Sequence, residues 1–183
     1  MYYLMSQLPS LDGLSESAPL PITEERFLEL CNRFLGKKAQ EEIKNLTISP
    51  KRSNISANSR FVDEWIGNEQ NLRFALGKIR AEKMNKPFDM ENRVLRSEHI
   101  KAARTAAEME NPMEAEKYLT EYRLSILESL RPMDGFSADY IYYYGLKLKL
   151  LLRIRRFDTA EGEAAYRNIY NSILSGEDLE ATK

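Results

Sequence analysis

The chain has 183 residues, 43% of them hydrophobic and 30% charged, with 27 Lys and Arg against 28 Asp and Glu for a formal net charge of -1. That length fits one domain and cramps an enzyme with separate cofactor and substrate halves, while the composition excludes a disordered chain and a wholesale polycation. One cysteine, Cys31, and one histidine, His99, exclude an intramolecular disulfide and the zinc and di-iron sites that need two or more imidazoles.

Residues 1–21 open with a short apolar stretch and then carry Pro9, Gly13, Pro19 and Pro21, a spacing that prevents any long helix and predicts a short extended segment. Thr23 then caps a helix. Ile22 and Phe27 are placed as a hydrophobic staple, and Glu24 and Glu25 suit the positive end of the dipole. Phe27, Leu30, Cys31, Phe34 and Leu35 fall on one face, with Gly36 as the stop, so Cys31 reads as a small buried hydrophobe. A second short helix spans 37–46. The turn-rich stretch 47–58 that follows is a surface loop and the one internal point at which a subdomain boundary fits.

Residues 59–86 return to helical spacing, with Phe61, Trp65, Leu72, Leu76, Ile79 and Lys83 near one face, until Asn85-Lys-Pro87 ends the pattern. A further helix is predicted over 90–109, where Ala102, Ala103, Ala106 and Ala107 make a small-residue packing face. Asn111-Pro-Met-Glu114 is a helix start, and Ala115, Leu119, Tyr122, Ile126 and Leu130 carry the expected buried stripe. Ser137 restarts a helix that runs to Arg156, with Phe136 and Ile141 placed to staple it. Apolar residues surround that helix on all sides, as in the centre of a bundle. A last helix is predicted from Asp158 through Tyr166, Ile169, Tyr170, Ile173 and Leu174, and 175–183 reads as a solvated tail. The fold class is therefore all-α: a bundle of about six helices forming a single domain over 1–174.

No Gly-rich phosphate loop is present, and His99 has no nucleophile or metal-ligand spacing around it, which makes it a solvent-side or helix-face residue. Glu108, Glu110, Glu114, Glu116 and Glu121 read as a solvated surface. No catalytic residue, cofactor site or metal site is expected. The strongest functional signal is the mixture of tyrosines 140, 142, 143 and 144 with Lys147, Lys149, Arg153, Arg155 and Arg156. At 100° per residue Tyr142, Lys149, Arg153 and Arg156 share one side, while Tyr140 and Tyr144 point elsewhere, so the aromatics form no single stacking platform for bases. Core with a cationic rim, or a protein-binding edge built on Tyr142, Lys149, Arg153 and Arg156, are the readings this leaves. The opening residues lack a signal peptide, and the most apolar stretch, 140–152, is too short and too charged to span a bilayer, which makes a cytoplasmic location the default.

Three stretches carry a family likeness: Tyr2-Tyr-Leu-Met-Ser-Gln-Leu-Pro9, Asn111-Pro-Met-Glu-Ala-Glu-Lys117, and Tyr144-Gly-Leu-Lys-Leu-Lys-Leu-Leu-Leu-Arg153 followed by Phe157-Asp-Thr-Ala-Glu-Gly162. With these the chain resembles a bacterial family of unknown function encoded within V/A-type ATPase operons, in which the helical C/d-type component that seats the rotor shaft on the membrane ring is often not apparent. The resemblance implies a non-catalytic accessory or adapter protein in that C/d-like position, bound to the central stalk, the membrane rotor ring or both. It further implies a place peripheral to the inner membrane face through those partners, with no cofactor and no nucleic acid. The chain is well short of a full C/d-type component, so at most part of that architecture is implied. The alternative reading is an independent helical regulator that binds protein or nucleic acid.

Overall fold

The computed structural model describes residues 2–14, 19–50, 59–89, 94–156 and 167–171. It is all-α, with no strand among the described residues. Seven helices follow in order: α1 (Tyr2–Gln7), α2 (Glu24–Phe34), α3 (Lys37–Asn45), α4 (Arg60–Lys83), α5 (Ser97–Glu108), α6 (Pro112–Ser129) and α7 (Ala138–Arg155). Residues 167–171 are helical as well; the rest of the predicted 158–174 helix, the 175–183 tail and residues 51–58 of the predicted loop lie outside the described residues.

Local chemistry sets most of the helix starts. The Thr23 hydroxyl accepts from the Arg26 amide, Ser59 from Val62, and Ser137 from Tyr140, while the Asn111 side chain accepts from Met113 with Pro112 at the first helical position. Each bond satisfies an amide that the first turn otherwise leaves without a partner.

Two expected helix limits need correction. Residues 2–7 form a one-and-a-half-turn helix, not an extended segment: Pro9 forbids a long helix but leaves room for a short one before it, and burial of Leu4 and Leu11 pins the arm to the bundle. Helix α5 begins at Ser97, not Met90, because Arg96 is extended (ψ 140°) and Val94 is solvent-exposed; 90–93 lie outside the described residues. Phe136 is half exposed and packs on Tyr2 of the arm, ring centroids 4.5 Å apart.

Helix α7 is the axis of the molecule. Every residue from Ile141 to Leu148, and Leu150 after them, is buried. Around it lie α2, α3, the arm, the first half of α4 and the second half of α6, in one apolar cluster that includes Leu4, Phe27, Ile43, Trp65 and Leu127. Gly145 lets α2 come close: a Cβ there would sit 3.1 Å from the Phe27 ring and 3.4 Å from a Leu46 methyl. Cys31 is buried in this cluster, and burial pushes its thiol up to about 12.

Helix α4 has 24 residues and is about 36 Å long. That length carries its second half past the α7 cluster, where it packs with α5 and the start of α6. Leu72, Ala102, Ala106 and Leu119 form one small core there, and Ala75, Ile79 and Ala103 another. The predicted alanine face is thus the α4–α5 contact.

Leu146→Ala is expected to lower stability by about 2–5 kcal/mol through the cavity it opens. Gly145→Leu is expected to lower it by about 1–3 kcal/mol by forcing α2 away from α7. Urea unfolding, read as a fall in midpoint at unchanged slope, checks both.

Candidate functional site

Tyr142, Tyr143, Tyr144 and Lys147 on α7 are buried, so each must meet its hydrogen-bonding needs inside the protein. The Tyr142 hydroxyl donates to Glu42 of α3, Tyr143 donates to Glu128 of α6 at 2.7 Å, and Tyr144 donates to the Pro9 carbonyl at 2.8 Å. Burial is the chief reason all three phenols are pushed up, Tyr143 to about 12. They stay protonated donors and are poor proton acceptors at neutral pH. Burial alone would push the Lys147 ammonium down, but its bonds to Asp12 and to Glu128, the latter at 2.6 Å, outweigh that and raise it. In return Lys147 holds the Asp12 carboxyl below its usual range.

A second polar group lies where α4 passes from the α7 cluster to the smaller cores. The Glu69 side chain is 1% exposed and that of Arg123 9%; Arg123 binds both Glu69 carboxylate oxygens, at 2.9 and 3.2 Å, and Arg73 reaches the same carboxylate at 3.1 Å. This fork geometry satisfies a carboxylate that burial would otherwise destabilise strongly. Close by, His99 is fully buried and shares a 2.9 Å hydrogen bond with the Tyr122 hydroxyl, while its Nε2 is buried without a hydrogen-bond partner. Of the two expected places for His99, solvent side or helix face, the structure gives the second, on the inward face of α5. Burial is the main cause of its lowered pKa, with Arg96 adding to it and Glu98 and Glu69 opposing. The buried line of α6 is Leu119, Thr120, Arg123 and Leu127, rotated from the predicted stripe, of which Ala115, Tyr122, Ile126 and Leu130 are only half-buried.

The predicted cations come together at the C-terminal end of α7. Lys149, Leu152, Arg153 and Arg156 line an open groove of about 270 Å³, closed by Glu24 at the start of α2 and by Thr47, Ile48 and Ser49 after α3. Lys149 donates to the Leu46 carbonyl at 2.6 Å and lies 3.3 Å from Glu24. Arg153 pairs with Glu116 of α6, and its Nε is buried without a hydrogen-bond partner. Arg156 is exposed. Tyr142 shares their side of the helix but is buried one stretch earlier and does not line the groove. Glu116, read as solvated surface, is half-buried and stands between Arg153 and Arg123, 3.8 Å from the latter, so a ladder of alternating charges runs from Glu69 to the groove.

Sequence reasoning missed Glu69, Arg123 and the Lys147 pairs. Among the described residues no group of three or more His, Cys, Asp or Glu is placed to hold a metal ion, and no helix is long and apolar enough to cross a membrane. In comparisons with known proteins, no family model, no characterised protein and no solved structure matches the chain.

Glu69→Gln leaves Arg123 buried beside a neutral partner and is expected to cost about 3–5 kcal/mol, most of it recovered when Glu69→Met and Arg123→Leu are combined; thermal unfolding of the three chains checks this. Because His99 is held below its ordinary 6.5, the unfolded chain takes up a proton before the folded one does. Its contribution to stability is complete above that value and is lost as pH falls through it toward the folded pKa. His99→Gln is expected to flatten that part of the stability–pH curve, measured by urea midpoints across the range.

Proposed function

We propose that this chain is a non-catalytic adapter of a V/A-type ATPase, standing in the C/d-like position between the central stalk and the membrane rotor ring. The observation that carries the reading is the way α7 divides its polar chemistry. Its three buried phenols and Lys147 are committed to internal partners, and its late cations line a groove open to solvent at its end. A part that transmits force needs a stiff body and a contact surface. Long helices crossed by buried ion pairs on one axis supply the first, because packed interiors yield little under strain. The family likeness of the 2–9, 111–117 and 144–162 stretches supplies the choice of complex. The protein acts on the cytoplasmic side, at the membrane only through its partners, and takes no cofactor.

The test is copurification. Tagged chain expressed from its own locus should bring down the ATPase with its stalk or ring, and its deletion should leave ATP hydrolysis uncoupled from ion transport. Recovery of an intact, coupled complex from the deletion strain would falsify the reading.

A further inference from the structure

We infer that the groove at the end of α7 is a receptor for an acidic protein segment, whose carboxylate takes Arg153 from Glu116. The inference rests on the adapter reading only for the identity of the complex in which that segment resides.

Among the described residues three cations, Lys149, Arg153 and Arg156, and one carboxylate, Glu24, line the groove, and Glu116 sits on Arg153 from beside it, which leaves that set net positive. Its acids are already on its cations, as stand-ins for a ligand of the same chemistry. The hold on Arg153 is incomplete: Nε is shielded from water yet has no acceptor, although a guanidinium presents a fork that a carboxylate fills with two parallel bonds. The Arg153–Glu116 pair is also 41% and 34% exposed. A pair so placed contributes little, so exchanging Glu116 for an incoming carboxylate costs little. Arg156 at the open end supplies a second charge, and Leu152 and Ile48 give an apolar wall for the residue beside the carboxylate.

A nucleic-acid strand fits less well. Among the described residues no aromatic side chain lines the groove to stack a base, and Tyr142, Tyr143 and Tyr144 of α7 are buried with their hydroxyls bonded. Once released, Glu116 can close on Arg123, 3.8 Å away, so occupancy of the groove tightens the charge ladder that ends at Glu69.

The experiment is fluorescence anisotropy with a labelled Glu-Leu repeat peptide at low salt, with unlabelled inorganic phosphate and a single-stranded oligonucleotide as competitors. The full-length chain should bind the peptide. Arg156→Glu, at an exposed position, and Arg153→Glu should each weaken it roughly tenfold or more. Glu116→Gln should strengthen it several-fold, because it removes the internal competitor. That gain cannot come from damage to the fold, and circular dichroism of each variant confirms the helices. Unchanged or weakened affinity in Glu116→Gln, unchanged affinity in Arg156→Glu, or stronger groove-dependent binding of the oligonucleotide or of phosphate overturns the inference. Peptide binding with this pattern in a chain that brings down no ATPase would sink the adapter reading alone. Copurification that survives Arg153→Glu and Arg156→Glu would sink the groove alone.

Discussion

A helix buried on every side must answer inside the protein for each polar atom it carries, and α7 carries three phenols and a lysine in its buried stretch. An unmet hydroxyl or ammonium in that position would cost more than an ordinary hydrogen bond gains. The partners come from the parts of the chain that pack around it: Pro9 and Asp12 from the arm, Glu42 from α3, and Glu128 from α6. The polar needs of one helix thus fix where its neighbours sit, while apolar contacts such as Phe27 on Tyr144, centroids 5.5 Å apart, supply the bulk of the attraction.

The same constraint separates body from surface. Side chains from Ile141 to Leu148, and Leu150 after them, face inward. Lys149 and Arg153 instead reach the rim, where their charged ends meet Leu46, Glu24 and Glu116. Two kinds of ion pair result. Glu69–Arg123 is buried and bidentate and holds the register between α4 and α6; Arg153–Glu116 is open to water and exchangeable. A buried interior joined to a solvent-exposed charged edge is the arrangement on which the proposed adapter role rests.

What could be read from the sequence was whatever a few neighbouring residues decide. The helix starts at Thr23, Asn111 and Ser137, the all-round burial of the late tyrosine and leucine run, and the clustering of Lys149, Arg153 and Arg156 all follow from spacing within one helix. What could not be read depends on distant partners. Glu69 sits in a run of polar residues and looks solvated until Arg123, 54 positions away, is laid against it. Lys147 reads as a rim cation because nothing near it reveals Asp12, 135 positions earlier. His99 follows the charged Glu98, and its burial comes from the packing of α5 against α4 and α6.

The central claim is that α7 is the axis on which the body is assembled. Native-state hydrogen exchange measures this directly, because amides in the last unit to open exchange only through global unfolding. The account predicts that the amides of Ile141–Leu150 are the slowest in the protein and that their opening energy equals the stability found by denaturant. Faster exchange there than in α4 or α5, by a separate low-energy opening, would contradict it.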